Sequence, residues 1–171
     1  MEKFAVISID VEDWYHLEYL KNKSKKEIEF SMLDGLSNFL QLIDNLDIPS
    51  SFFLLSSLAN DIKKKFSNKD LQKCDINSHG TNHIRPLLFS EQEFSTELIT
   101  SRKIIEDTFS LKVNGFRAPC FSLDDNRLNI IKENGFKFDS SKINFTQHPL
   151  YGSLNLNSYN KINNNIHILN N

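Results

Sequence analysis

The stretch Phe4-Ala5-Val6-Ile7-Ser8-Ile9 is nearly continuous in apolar, largely β-branched side chains, and it stops abruptly at Asp10-Val11-Glu12-Asp13. A strand that does not alternate has both faces covered, as happens in the parallel sheet of an α/β fold. The rest of the chain is consistent with that. Residues 31–46 carry a helical period, with Leu36, Phe39, Leu40, Ile43 and Leu46 on one face, and Pro49 closes the unit. Ser51-Phe52-Phe53-Leu54-Leu55 predicts a second buried strand, 57–66 a short basic helix, and 74–78 a weak third strand. Ser90 and Glu93 stand at capping-box spacing ahead of a helix lined by Phe94, Leu98, Ile105 and Phe109. Residues 112–116 predict a short strand. Asp124 or Asp125 opens another helix that Gly135 stops, and Phe136-Lys137-Phe138 begins a further strand. Strands alternating with helices over short connections argue an α/β fold with a parallel sheet or barrel.

Composition narrows the function classes. A chain of 171 residues fits one compact domain. Cys74 and Cys120 are too few for a disulfide framework, so a reducing compartment is the simpler expectation. A net charge of −2 removes the sequence-independent attraction on which nucleic-acid binding relies. No apolar run approaches the ~20 residues of a membrane span, and the first apolar run is too short for a secretory leader. We therefore expect a cytoplasmic protein without a nucleic-acid partner. Residues 155–171 differ from the rest: eight of seventeen are asparagine, which favours turns. The expected organisation is one domain over 1–154 followed by an irregular asparagine-rich segment.

Four polar clusters each follow a predicted strand, on the face where parallel α/β folds assemble their sites. Asp10, Glu12 and Asp13 put three carboxylates within four positions, which is costly unless a cation neutralises them, although a solvated acidic loop explains them as well. His79 and His83 have the H-x-x-x-H spacing that lets two imidazoles share one metal ion, and Gly80 between them favours a tight turn over a regular helix. Joined to an upstream carboxylate they form the two-histidine, one-carboxylate set of open catalytic metal sites. Arg117 enters a turn made rigid by Pro119, where it can grip a carboxylate with two donors. Asp139, in Phe138-Asp139-Ser140-Ser141, either caps a turn or orients that arginine.

Taken together these residues resemble the polysaccharide deacetylase family, also called the NodB-homology domain or carbohydrate esterase family 4. Asp10-Val11-Glu12-Asp13-Trp14-Tyr15-His16 is similar to the first motif of its D-V-E-D branch, and Ser51-Phe52-Phe53 to its second strand. His79-Gly80-Thr81-Asn82-His83 resembles the metal motif, Arg117-Ala118-Pro119-Cys120-Phe121-Ser122 the R-x-P motif, and Phe138-Asp139-Ser140-Ser141 the short aspartate motif. The resemblance runs from residue 4 to about residue 152. It implies a distorted (β/α) barrel, a divalent ion, usually zinc, and hydrolysis of an N-acetyl group on a saccharide or a related C–N bond, including cyclic ureides. It further implies Asp10 as general base and Asp13, His79 and His83 as metal ligands, with Glu12 as rival to Asp13. Arg117 would orient the base, Asp139 would support the arginine, and a backbone N–H near Cys120 or Phe121 would meet the oxyanion. Trp14 and Tyr15 are candidates for stacking on a sugar ring. The family's fifth motif, which supplies a late histidine, has no counterpart here, and neither His148 nor His167 stands in its context. An incomplete barrel is therefore expected, and a domain that binds metal or sugar without turnover is the alternative reading.

Overall fold

The computed structural model describes residues 5–20, 31–145, 148–163 and 166–168. Five strands form one parallel sheet in sequence order: β1 (Ile7–Val11), β2 (Ser50–Leu54), β3 (Cys74–Ser78), β4 (Gly115–Phe116) and β5 (Phe138–Asp139). Four α-helices connect or flank them: α1 (Leu36–Asn45), α2 (Ala59–Lys65), α3 (Glu91–Phe109) and α4 (Asp125–Glu133). The expected α/β architecture is present. Among the described residues the sheet stays open, with β1 and β5 as its edges, so the expected barrel is not closed.

Register explains which side carries chemistry. Ile9 pairs with Phe52 and Phe52 with Ile76, and this row belongs to the apolar core together with Leu40, Ile43, Phe94, Leu98 and Ile105 from the helices. Side chains alternate along a strand, so the next row, Asp10–Phe53–Asn77, points to the opposite face. Ser8 shares that face. β1 thus presents a serine and an aspartate to one side while Ile9 and Val11 pack on the other.

Helix signals in the sequence are realised where capping is strong. Ser90 accepts from the Glu93 amide while Glu93 accepts from the Ser90 amide, the reciprocal pair expected at the start of α3. Asp124 caps α4, and Gly135 follows it with φ +79°. Of the strand predicted at 112–116 only Gly115–Phe116 is regular, and β5 starts at Phe138 where a start at Phe136 was expected, although Lys137 and Phe138 still donate across to the Asn114 carbonyl. The expectation of an irregular segment after residue 154 is corrected in part. β6 (Asn160–Lys161) and β7 (His167–Ile168) form a small antiparallel ribbon. Phe4 and residues 21–30 lie outside the described residues. No helix among the described residues is long and apolar enough to cross a membrane.

Candidate metal centre

The site lies beyond the C-terminal ends of β1, β3 and β4, where the strand carbonyls hand over to tight turns. After β3 the His79 amide donates to Leu54 O, and Gly80 turns the chain with φ +79°. His83 also adopts a left-handed φ of 55°. The Thr81 amide donates to the Glu97 side chain of α3, and the Ser56 amide to Gly80 O. These bonds brace a turn, not a helix, and the turn brings the His79 and His83 rings to 5.2 Å between centroids.

A single carboxylate meets both imidazoles. Ligand atoms of Glu12, His79 and His83 lie within 4.8 Å of one another, and Glu12 Oε2 is 3.1 Å from His83 Nε2. Glu12, and not Asp13, occupies the acid position. Asp13 points away to cap the 3-10 turn Trp14–His16: its Oδ1 accepts from the Trp14 amide, and its Oδ2 from Ser31 Oγ. Residues 10 and 12 share strand parity and Asp13 does not, which is a signal the sequence carried.

The polar atoms of the cluster fit a cation. Glu12 Oε2 is buried, and no hydrogen bond reaches it among the described residues. Burial, with a smaller push from the Asp10 charge, raises the Glu12 carboxyl to about 7. A buried carboxylate whose ionisation is opposed this way is relieved by a positive ion. His79 Nδ1 lies 2.8 Å from Arg117 O, so the ring donates there and leaves the Nε2 lone pair facing the cluster. Burial holds the His79 pKa below its ordinary value, outweighing the Asp10 charge, and keeps the ring in the neutral form a ligand needs.

Asp10 stands beside this cluster, its Oδ2 3.9 Å from His79 Nε2. Its Oδ1 accepts from Arg117 Nη1 at 2.8 Å. Arg117 is fixed on every side: Nη2 donates to Ser8 Oγ at 2.9 Å and to Ser140 Oγ at 2.7 Å, Nε to Ser140 O at 3.3 Å, and the guanidinium lies 4.0 Å over the Phe53 ring. One residue therefore orients the His79 ring through its carbonyl and the Asp10 carboxylate through its side chain.

Asp139 makes none of the arginine's hydrogen bonds. Its two oxygens accept from the Ser141 amide and hydroxyl, and Ser141 Oγ accepts in turn from the Ala118 amide. Asp139 thus fixes the turn that carries Arg117, and Ser8 and Ser140 hold the guanidinium. Burial raises the Asp139 carboxyl to about 6, against the Ser141 bonds and the Arg117 charge. Two further expectations change. Trp14 is buried and packs edge-on against Tyr15, so it offers no face to a sugar. The Phe121 amide donates to Ala118 O, which removes that one of the two expected oxyanion donors and leaves the Cys120 alternative open.

Above the cluster a cleft of 460 Å³ is walled by Leu17, Tyr19, Leu20, Phe121, Leu150 and Tyr151, with Asp10, Glu12, His79 and His83 at its polar end. Its walls also include Cys120, which together with Phe121 takes a left-handed φ, near 54° and 49°, as the chain bends back after Pro119. His148 lines the same cleft, whereas His167 lies in a separate 190 Å³ cavity between α4, β5 and the C-terminal ribbon.

Comparison with known proteins gives this geometry a context. The profile of the polysaccharide deacetylase family matches residues 19–138. No curated protein matches the chain. A putative polysaccharide deacetylase from Mycobacterium smegmatis superposes with a TM-score of 0.67 at 18% identity, over 81% of this chain and 50% of that one. A carbohydrate esterase family 4 pseudoenzyme from Bacillus anthracis gives 0.61 at 18% identity over 78% and 41%. A family 4 carbohydrate esterase from Streptomyces lividans, in complex with acetate, gives 0.57 at 11% over 79% and 60%. The fold is common to all three, and this chain spans 41–60% of their lengths.

Proposed function

The chain belongs to the polysaccharide deacetylase family, and on that premise we propose that it is a metal-dependent hydrolase that removes N-acetyl groups from a saccharide. Glu12, His79 and His83 would hold the divalent ion, and Asp10 would serve as base. The observation that carries this reading is the convergence of the three ligand atoms within 4.8 Å, with an arginine-gripped aspartate beside them in one cleft. Two imidazoles and one carboxylate suit zinc. When bound there, the ion would supply Lewis acidity toward the acetyl carbonyl and acidify water.

The protein's own groups divide the remaining work. Arg117 holds Oδ1 of Asp10 and leaves Oδ2 on the side of the cluster, where it can accept the proton of the attacking water. The apolar walls of the cleft give a substrate a surface to pack on beside the polar cluster. The Arg117 carbonyl keeps His79 in the tautomer that faces the cluster.

The competing reading is a domain that keeps the ion and does not turn substrate over, supported by the likeness to a pseudoenzyme. Acetate release from N-acetylglucosamine oligomers, measured with added zinc and again after exhaustive chelation, separates the two. The hydrolase reading predicts release that chelation abolishes. Stoichiometric zinc with no acetate from any acetylated sugar tested establishes the binding-only reading, and turnover that survives chelation defeats both.

A further inference from the structure

A base that removes a proton from water needs a partner acid, because the departing amine nitrogen must gain a proton as the C–N bond breaks. His79, His83, Glu12 and Asp10 are committed to the ion and the base. Of the other polar side chains lining the cleft, Glu18 is paired with Arg85 at 3.6 Å. A second polar pair remains on the cleft wall: Tyr19 Oη lies 2.9 Å from His148 Nε2, joining residues 129 positions apart in the chain.

The surroundings of His148 set the direction of that bond. The Leu150 amide donates to His148 Nδ1 at 3.3 Å, so the Nδ1 lone pair is in use and the neutral ring carries its proton on Nε2. Nε2–H then donates to Tyr19 Oη, and the tyrosine's own proton is directed elsewhere. The ring is oriented by its neighbours: it stacks on Tyr151 at 4.2 Å and 28°, and the Gly152 amide ties this turn to Phe121 O at 3.0 Å. Tyr19 is 73% exposed, within reach of a solute entering the cleft.

From this geometry we propose that Tyr19 is the catalytic proton donor to the leaving amine and that His148 is its positioning residue. The inference rests on the hydrolase reading above. As the tetrahedral adduct collapses, the C–N electron pair passes to nitrogen, which takes the Tyr19 proton. The phenolate left behind accepts the His148 Nε2–H hydrogen bond. The proton that Asp10 removed from water returns to Tyr19 through solvent, so that water has been added across the amide and no other reactant is required.

The test compares an N-acetyl sugar, whose amine needs a proton to leave, with 4-nitrophenyl acetate, whose phenolate does not. In the full chain with zinc added, Tyr19→Phe should lower the amide-to-ester ratio of kcat about 100-fold, the lower end of what general acids contribute. His148→Gln should move the ratio the same way by less. A second readout needs no metal: nitrogen-15 spectra of labelled histidine should give His148 in the Nε2–H tautomer, with its shift altered in Tyr19→Phe. An unchanged ratio in Tyr19→Phe, or an Nδ1–H tautomer for His148, overturns the inference while wild-type amide hydrolysis leaves the hydrolase reading intact. Wild type acting on the ester and not on the N-acetyl sugar removes both.

Discussion

Arg117 is the residue on which the polar end of the cleft depends, and its replacement tests that arrangement quantitatively. Arg117→Met keeps a flexible apolar stem and deletes the charge. The Asp10 carboxylate, 26% exposed, then loses its 2.8 Å partner. Removing one side of a buried pair costs about 3–5 kcal/mol, and residual water access to Asp10 places the expected loss near the lower figure, about 3 kcal/mol. Arg117→Lys retains the charge but cannot serve Asp10, Ser8 and both Ser140 acceptors at once while lying flat over Phe53. With one or two net hydrogen bonds of about 1 kcal/mol lost, together with part of the ring contact, it should cost about 2 kcal/mol. Urea unfolding followed by circular dichroism reads both values from midpoints at constant m. The double variant Asp10→Asn/Arg117→Met should be more stable than the sum of the singles by about 1–3 kcal/mol, since the stranded charge is gone. Additive losses, or an Arg117→Met within 0.5 kcal/mol of wild type, as expected of a surface substitution, would mean that Asp10 does not depend on the guanidinium.

Asp139 gives a pH signature. A carboxyl raised from 3.8 to about 6 binds its proton more tightly folded than unfolded, so its contribution to stability is present below about 3.8 and lost as pH rises through about 6. The rise corresponds to roughly 3 kcal/mol. The stability of Asp139→Asn relative to wild type should therefore improve by that order between pH 4 and pH 7, and parallel pH curves would count against a buried ionising group. Gly152→Ala drives a Cβ into the Leu123 carbonyl oxygen and amide nitrogen, backbone atoms that cannot yield cheaply. The overpacking should cost about 1–3 kcal/mol and speed amide exchange at Gly152, whereas unchanged exchange would mean that the turn beneath His148 is looser than described.

Much of the architecture was legible because its signals are local. The strand run at Phe52 and Phe53, the α3 capping box and the turn at Gly135 each depend on a few adjacent residues, and each falls where expected. β4 was overestimated and β5 begins two residues later than expected, because a strand's extent is set by its neighbour's pairing and not by its own apolar content. The histidine pair and Arg117 were legible as clusters following strands. Glu12 against Asp13 was a question of parity: the strand period puts Glu12 with Asp10, while the Asp13–His16 spacing marks a reciprocal cap. The role expected of Asp139 fell to Ser140 and Ser8, because a guanidinium reaches outward from its turn and meets whichever hydroxyls the neighbouring strands present. Tyr19 and His148 left no sequence signal, since only the folded chain closes a separation of 129 residues.

Zinc affinity, measured by titration calorimetry for Glu12→Gln beside Asp13→Asn, tests the metal centre most directly. Glu12→Gln, which removes a charge from the ion's own ligand set, should weaken zinc by about 100-fold or more, beyond the 10–100-fold typical of residues one step removed. Asp13→Asn keeps a competent helix cap and should bind zinc within about threefold of wild type, with any loss appearing in stability. Wild-type zinc affinity in Glu12→Gln, with binding abolished in Asp13→Asn, would contradict the assignment of the Glu12–His79–His83 centre.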